Sequence, residues 1–188
     1  MPTSSTMPQA GTEAKGPLPV VDIAALPAQI IPRRAAIPDV DGMSTLINEF
    51  ASARIMLARG PLYLYQSIQN YRVITLPGSG DDKGREVVVG CGGLHVLWED
   101  LAEVRSVAVH PALQRKSLGR AIVEILIEDA RKLGVKRVFT FTLAEGFFSR
   151  LGFHEIPRET LPPVVWAECS KCPKFYKCDE IGMMLELS

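Results

Sequence analysis

The sequence predicts an α/β or α+β fold in which helices flank one mixed β-sheet, and three observations support this class. Runs rich in β-branched apolar residues alternate with segments whose apolar residues recur every three or four positions. Residues 77–84, rich in Gly, Asp and Pro, separate two such runs and indicate the turn of an antiparallel hairpin. Residues 102–143 have the order strand, helix, strand, which is typical of a crossover. Hairpins and crossovers together make the sheet mixed.

The first half of the chain predicts three strands and two helices. The first helix has an apolar face with helical spacing, and a proline begins each helix, where its missing amide costs nothing. The elements are a strand at 31–35, a helix from Pro38 with Val40, Met43, Leu46, Ile47 and Phe50 on one face, a loop at 55–60, a helix from Pro61, and strands at 71–76 and 85–98.

The second half centres on one strand and the helix that follows it. Val104, Val107 and Val109 form a β-branched run that ends at Pro111, because proline has no amide to donate to a ladder. The elements are a strand at 102–109, a helix with Leu118, Ala121, Ile122, Ile125, Leu126, Ala130 and Leu133 on one face and Gly134 as its cap, a strand at 136–143, a helix at 145–150, a strand after Gly152 and a strand at 181–187.

Size and composition indicate one globular domain. The chain has 188 residues, enough for a sizeable core, and we divide it into a flexible tail at 1–30, rich in Ser, Pro, Gly and Ala at its start, and a domain at 31–188. Its 21 basic and 21 acidic residues cancel, so we expect no nucleic-acid or membrane partner. Four cysteines without a secretion signal favour a reducing cytoplasm.

The basic segment at residues 114–117 and the first turn of the helix after it form a positively charged region. The first turn of a helix leaves amide donors without partners and carries partial positive charge. Arg115, Lys116 and Arg120 add full positive charges at the same place. The segment therefore suits a phosphate or pyrophosphate, although a solvated basic helix start with no ligand has the same pattern.

Residues 107–119, Val-Ala-Val-His-Pro-Ala-Leu-Gln-Arg-Lys-Ser-Leu-Gly, resemble the acetyl-CoA signature of GNAT acetyltransferases. That signature is a strand followed by Gln/Arg-x-x-Gly-x-Gly/Ala, and here Ser117 stands where the first glycine is usual. The resemblance implies a mostly antiparallel central sheet flanked by helices. It also implies contacts to acetyl-CoA from Val107, Ala108, Val109, Gln114, Arg115, Lys116, Ser117, Leu118, Gly119, Arg120 and Phe148.

Residues 147–153, Phe-Phe-Ser-Arg-Leu-Gly-Phe, resemble a second GNAT signature, Phe-Tyr-x-x-x-Gly-Phe. In many members the tyrosine protonates the leaving thiolate, but Phe148 has no proton to give. Water, another group or the product ammonium must then supply the proton. Phe148 either contacts the cofactor or only packs in the core.

Six segments resemble the acetyltransferase domain of N-acetylglutamate synthases, and the resemblance covers about residues 31–187. They are Gly-Cys-Gly-Gly-Leu-His at 90–95, the strand at 101–109, Phe-Phe at 147–148, Leu-Ala-Arg at 57–59, the helix at 62–71, and the cysteine-bearing tail at 164–180, which is similar to that of short bacterial members. The resemblance implies that Leu57, Arg59, Cys91 and Arg105 bind the amino-acid acceptor. It does not include the amino-acid-kinase domain of many synthases, so regulation by arginine is not implied.

The chemistry of a glutamate acceptor agrees with these residues. Guanidinium groups bind carboxylates bidentately, which favours Arg59 and Arg105, although either arginine could instead form a structural ion pair. Attack by the amine needs a base. We predict Glu103 as the base and His95 as the second candidate. Alternation along the strand places Glu103, Arg105 and Val107 on one face, so Glu103 could equally be an arginine partner.

The cysteines at 169, 172 and 178 raise the question of a metal. Three thiolates could bind zinc if Cys91, His154 or Asp179 supplied a fourth ligand. The spacing falls short of a paired Cys-x-x-Cys pattern, so we expect free thiols and no metal, with a disulfide between two of them as another option.

We therefore predict an enzyme that transfers the acetyl group of acetyl-CoA to the α-amino group of L-glutamate, a step of arginine biosynthesis. Glutamine or another amino acid is the alternative acceptor. Two different classes of protein also fit the sequence: a non-catalytic acyl-CoA sensor, which Phe148 and Ser117 would permit, and a zinc-stabilised interaction module. The sequence does not determine the oligomeric state, and a homodimer is one assembly that it allows.

Overall fold

A computed structural model describes residues 17–170, 172 and 174–187, and it contains one seven-stranded sheet with helices on both faces. The strands are β1 (Arg33–Arg34), β2 (Tyr71–Pro77), β3 (Glu86–Trp98), β4 (Leu101–Val109), β5 (Arg137–Thr142), β6 (His154–Ile156) and β7 (Ile181–Glu186). The helices are α1 (Val40–Ser52), α2 (Pro61–Ser67), α3 (Leu118–Lys132), α4 (Glu145–Ser149) and α5 (Trp166–Cys169).

The strand order is β1-β2-β3-β4-β5-β7-β6, and every neighbouring pair is antiparallel except β4 and β5. The β4–β5 pair is parallel because α3 carries the chain back across the sheet between them. The structure confirms the predicted mixed, mostly antiparallel sheet flanked by helices. It also confirms the hairpin between β2 and β3.

The helices cover the two faces of the sheet. Apolar residues of α3 pack on one face in a cluster that includes Ile122, Leu126 and Val104. The apolar stripe of α1 packs on the opposite face with Val88 and Ala108. Leu133, predicted on the apolar face of α3, is instead 65% exposed, because it caps the helix beyond its last turn.

The described part of the predicted tail, residues 17–30, lies against the turn of the β2–β3 hairpin. Val21 is buried and forms an isolated β-bridge with Gly78. The Ser79 amide donates to the Val20 carbonyl oxygen at 2.9 Å. Residues 1–16 lie outside the described residues, and the division into a tail and a domain stays a prediction.

A β-bulge in β4 overturns the predicted alternation of side chains. Cys91 pairs with Ala108 and Gly93 with Arg105, so β4 holds one more residue than β3 over this interval. Ser106 has a φ of 54°, in the left-handed region. The extra residue shifts the phase by one. Val107 therefore packs on the α3 face with Val104, and not on the face that was predicted to hold Glu103, Arg105 and Val107.

Candidate active site

The inner of two adjoining cavities lies in the gap where β4 and β5 separate. The two strands pair from Leu101 with Arg137 to Glu103 with Phe139, and their pairing ends there. Beyond that point β4 continues beside β3, and β5 continues beside β7. The side of β4 that faces the gap therefore has backbone groups available to a ligand. A cavity of about 200 Å³ fills the gap.

The walls of this cavity bring together six of the predicted site residues. They are Leu57, Arg59, Glu103, Arg105, Val107 and Phe148. Phe148 is 4% exposed and belongs to the apolar core, with edge-to-face contacts to Phe147 and Phe153. Both interpretations of Phe148 thus describe the same side chain, which packs in the core and lines the cavity.

The basic segment between β4 and α3 has strained backbone at two positions. Arg115 has a φ of 63° and Ser117 a φ of 65°, both in the left-handed region that glycine adopts most easily. Ser117 is the N-cap of α3, and its side chain makes no capping hydrogen bond. The first-turn amides of Leu118, Gly119 and Arg120 have no carbonyl to bond within the helix.

The basic side chains of this segment are largely in solvent. Gln114, Arg115 and Lys116 are exposed, and Arg120 forms a surface ion pair with Glu124 at 2.7 Å. Gly119 packs close to Val109 and Phe147, since a Cβ built on it would lie 3.6 Å and 3.5 Å from their side chains. The amides of the helix start therefore lie near the end of β4, next to the gap.

The outer cavity, of about 720 Å³, adjoins the inner one. The two cavities form one groove, because six residues line both: Ile55, Met56, Leu57, Arg59, Leu143 and Glu180. The outer rim carries the ion pair between Lys174 and Asp179, at 3.1 Å. Arg59 and Glu180 are the two ionisable residues that both cavities share.

Arg59 is held rigidly from α1. The Asn48 side chain donates to the Arg59 carbonyl oxygen at 3.1 Å and accepts from the Arg59 amide at 3.0 Å. Ser44 also donates to the same carbonyl oxygen, at 3.2 Å. The Arg59 side chain is buried, and its guanidinium lies 4.2 Å from the centre of the Tyr63 ring. A buried, pre-positioned guanidinium on a cavity wall suits a carboxylate ligand.

Arg105 is part of a polar network on the same wall. Its guanidinium donates to the Tyr63 hydroxyl at 3.2 Å and forms an ion pair with Glu103. The Tyr63 ring stacks on His95, which pairs with Glu103 across β3 and β4. The structure thus gives Glu103 the arginine partner that the sequence allowed as an alternative to a base.

Two predicted residues lie behind the cavity wall. Cys91 is completely buried, with its thiol 3.8 Å from the Ser106 carbonyl oxygen, and burial raises its pKa to about 12. Ala108 is buried against α1. Their side chains are not among those that line either cavity, so any contact with a ligand must come from the backbone.

Three cysteines near the end of the chain, Cys169, Cys172 and Cys178, line the groove. Cys169 lines the inner cavity, and Cys172 and Cys178 line the outer one. All four cysteines of the chain are free thiols. Burial, followed by the nearby Glu103 carboxylate, raises the pKa of Cys169 to about 11. Within residues 17–170, 172 and 174–187, no three His, Cys, Asp or Glu side chains are placed to hold a metal ion.

Three residues that shape the site were not found from the sequence. Asn48 and Tyr63 lie on predicted helices, where a polar residue and an aromatic residue give no local sign of a site. Glu180 is the last residue of the cysteine-bearing tail at 164–180, and only the fold brings it to the groove. In the part of the chain that the structure describes, no helix has the length and apolarity that a membrane span requires.

Comparisons with known proteins agree with this geometry. The acetyltransferase (GNAT) family model matches residues 50–153. An amino-acid acetyltransferase of Mycobacterium tuberculosis is 44% identical over 124 residues, which are 66% of this chain and 68% of that protein. A solved structure from Mycobacterium tuberculosis in complex with CoA has 34% identity and a TM-score of 0.67, covering 84% of this chain and 99% of that one.

A more distant structure has the same fold. The N-acetylglutamate synthase of Neisseria gonorrhoeae, complexed with coenzyme A and N-acetyl-glutamate, has a TM-score of 0.72 at 22% identity, covering 87% of this chain and 36% of that one. The family match spans more than half of the 188 residues, and it includes the gap and the helix start. The chain belongs to the GNAT family of acetyltransferases.

Proposed function

We propose that the chain transfers the acetyl group of acetyl-CoA to the α-amino group of L-glutamate, and thus acts as an N-acetylglutamate synthase in arginine biosynthesis. A cytoplasmic location and a homodimer belong to the same proposal. The observation that supports it most is the position of Arg59. Its buried guanidinium lines the cavity between β4 and β5, where an acyl chain would lie.

The cosubstrate fits the inner part of the groove. The amides of residues 117–120, with the side chains of Gln114, Arg115 and Lys116, would hold the diphosphate. The backbone of Val107, Ala108 and Val109 faces the pantetheine arm and the thioester in this proposal, and Phe148 forms the apolar wall beside it. Ser117 already has the left-handed conformation that this kind of loop requires, so the serine leaves the loop geometry intact.

The acceptor enters from the outer cavity. Arg59 binds a carboxylate, and Leu57 lines the wall beside it. The neutral amine attacks the thioester carbon, a C–N bond forms, and the C–S bond breaks. Because Phe148 has no hydroxyl, the leaving thiolate takes its proton from the attacking nitrogen or from water. In this proposal Glu103 keeps Arg105 oriented toward the acceptor through their ion pair.

Glutamine is the second candidate acceptor, and the pairing of Arg105 favours it. Arg105 already bonds Glu103 and Tyr63, so part of its capacity for a second carboxylate is taken up. Glutamine has one carboxylate and would need only one arginine. A monocarboxylate and a dicarboxylate acceptor are therefore both compatible with this wall.

The acceptor can be identified by measuring how fast CoA is released from acetyl-CoA in the presence of each amino acid of a panel. We expect release that depends on the acceptor, with glutamate giving the highest kcat/KM and glutamine the next. CoA binding without acceptor-dependent release would replace this proposal with an acyl-CoA sensor. Zinc at one ion per chain, with unfolding by a chelator, would support the interaction module instead.

A further inference from the structure

We propose that Tyr63 is a positioning residue that holds Arg59 and Arg105 in place and thereby makes the site prefer an acceptor with two carboxylates. The inference rests on the proposed function. It arises from one geometric fact: the Tyr63 side chain contacts both guanidinium groups. The guanidinium carbon of Arg59 lies 4.2 Å from the centre of the Tyr63 ring. The Tyr63 hydroxyl oxygen accepts a hydrogen bond from Nη1 of Arg105 at 3.2 Å.

These contacts join three separate segments of the chain. Arg59 lies in the loop before α2, Tyr63 lies on α2, and Arg105 lies on β4. Both arginines line the inner cavity, whereas Tyr63 is not among the residues that line either cavity. Its effect on an acceptor must therefore pass through the two arginines.

Tyr63 is a suitable partner for two cations on one wall. Like charges on the same wall repel each other, which favours turning one of the guanidinium groups away. The face of an aromatic ring attracts a cation, and a hydroxyl oxygen accepts a hydrogen bond from one. Neither contact brings a negative charge. Tyr63 thus stabilises both guanidinium groups without cancelling the charge that a carboxylate ligand needs.

The hydroxyl of Tyr63 fixes the orientation of Arg105. Nη1 of Arg105 donates to Tyr63, and Nη2 donates to Glu103. Because the guanidinium is planar and rigid, partners on both terminal nitrogens determine the direction of its plane. The group has five N–H donors, so donors remain for a carboxylate after these two bonds. Without the hydroxyl, Arg105 can turn about its ion pair with Glu103.

The ring of Tyr63 is itself held by aromatic contacts. It stacks on His95, with 6.1 Å between the ring centres. His95 packs edge-to-face on Tyr71, which is completely buried, and its Nδ1 lies 3.3 Å from the side-chain amide of Asn70. The ring therefore keeps its place when the hydroxyl is removed, and the two contacts of Tyr63 can be tested separately.

The two contacts should affect two acceptors differently. Glutamate and glutamine share the α-carboxylate, and only glutamate has a second one. In this proposal Arg59 binds the shared carboxylate and Arg105 binds the second. Loss of the Tyr63 hydroxyl should therefore weaken glutamate selectively, whereas loss of the ring should weaken both amino acids.

The test measures the KM of glutamate, glutamine and acetyl-CoA in Tyr63→Phe, which removes the hydroxyl and keeps the ring. We expect the KM of glutamate to rise by about tenfold, since a hydrogen bond to a charged group is lost. The KM values of glutamine and acetyl-CoA should stay nearly unchanged. Where glutamine turns over too slowly, its inhibition constant against glutamate replaces its KM.

Two further variants complete the comparison. Tyr63→Leu also removes the ring, so it should raise the KM of both amino acids and leave that of acetyl-CoA nearly unchanged. Tyr65→Phe is the matched control, because it makes the same substitution at an exposed tyrosine of the same helix. It should change none of the three KM values.

The outcomes separate this inference from the proposed function. Wild-type enzyme that releases no CoA with glutamate overturns the proposed function. Wild-type turnover of glutamate together with an unchanged preference for glutamate over glutamine in Tyr63→Phe overturns the role of Tyr63 alone. Equal increases for both amino acids and acetyl-CoA in Tyr63→Phe would show a merely structural role and equally overturn the inference.

Discussion

The side-chain amide of Asn48 binds both backbone polar groups of Arg59, at 3.1 Å to its carbonyl oxygen and 3.0 Å to its amide nitrogen. This pair of hydrogen bonds joins α1 to the loop that carries Arg59. Asn48 itself is not among the residues that line either cavity. Its effect on activity must therefore pass through the position of Arg59.

Asn48→Ala should raise the KM of the acceptor severalfold and leave the KM of acetyl-CoA nearly unchanged. Loss of the amide leaves two backbone groups of Arg59 without that partner, at a cost of about 1–3 kcal/mol. Steady-state kinetics with each substrate varied will check this. Thr45→Ala, which removes a hydroxyl bonded within the same helix, is the control. Equal changes in both KM values would contradict a positioning role.

Arg59→Ala should raise the acceptor KM by about tenfold or more, because a charge-assisted hydrogen bond to a carboxylate is lost. The acetyl-CoA KM should change far less. The control is Arg85→Ala, which removes an exposed arginine near the β2–β3 turn. The assignment of Arg59 fails if both substrates are affected alike.

Ser117→Gly should increase the free energy of unfolding by about 1 kcal/mol, because glycine adopts a φ of 65° without the steric cost that serine bears. The lost side chain makes no capping hydrogen bond, so the main opposing contribution is the larger conformational entropy that glycine loses on folding. Urea denaturation measures the change. Ser117→Ala keeps the strained conformation and should show no gain, whereas a less stable glycine variant would contradict the strain.

Gly92→Ala should reduce the free energy of unfolding by about 1–3 kcal/mol through overpacking. A Cβ at this position would lie 2.6 Å from Ile122 and 3.3 Å from Leu126, where β3 meets α3. The matched control is Gly146→Ala in α4, where the nearest atom would be 3.6 Å away. If both variants unfold at the same urea concentration as the wild type, that result would contradict a close contact between β3 and α3 at Gly92.

Stability should fall as the pH is lowered through the titration range of His110. The side chain is buried, and burial lowers its pKa below the ordinary 6.5. Below pH 6.5 the unfolded chain therefore takes up a proton that the folded chain resists, and the stability present above pH 6.5 is progressively lost. Urea denaturation at about pH 7.5, 6.5 and 5.5 will show the trend.

The paired variants for this prediction are His110→Asn and His154→Asn. In the first, the new amide oxygen can accept the Ala112 N–H in place of Nδ1, and the slope against pH should shrink. His154 is exposed beside Glu186, so its replacement should leave the slope caused by His110 in place. An unchanged slope in His110→Asn would assign the dependence to another group.

Local patterns predicted the elements, whereas the site depends on contacts between distant segments. The apolar period of α3 and the turn at residues 77–84 were sufficient to place a helix and a hairpin close to their observed bounds. The bulge at Ser106 was not predictable, because strict alternation assumes an uninterrupted ladder. It changed the face of Val107 while leaving the strand itself intact.

The predicted strand at residues 31–35 is also shorter in the structure, where only Arg33 and Arg34 pair with β2. Arg59 and Arg105 were predicted because family resemblance marks their positions, and the structure places both on the wall of the inner cavity. Asn48 and Tyr63 form hydrogen bonds to residues of other segments, and Glu180 reaches the groove only through the fold, so no spacing along the sequence indicates them.

The separation of β4 from β5 has a mechanical consequence. Among the described residues, three ladder pairs connect β4 to β5, from Leu101 with Arg137 to Glu103 with Phe139. A pantetheine arm inserted in the gap would contact both parts of the sheet. Its binding should therefore slow amide hydrogen exchange on both sides of the gap. Ligand binding should in this way also strengthen the connection between the two parts of the sheet.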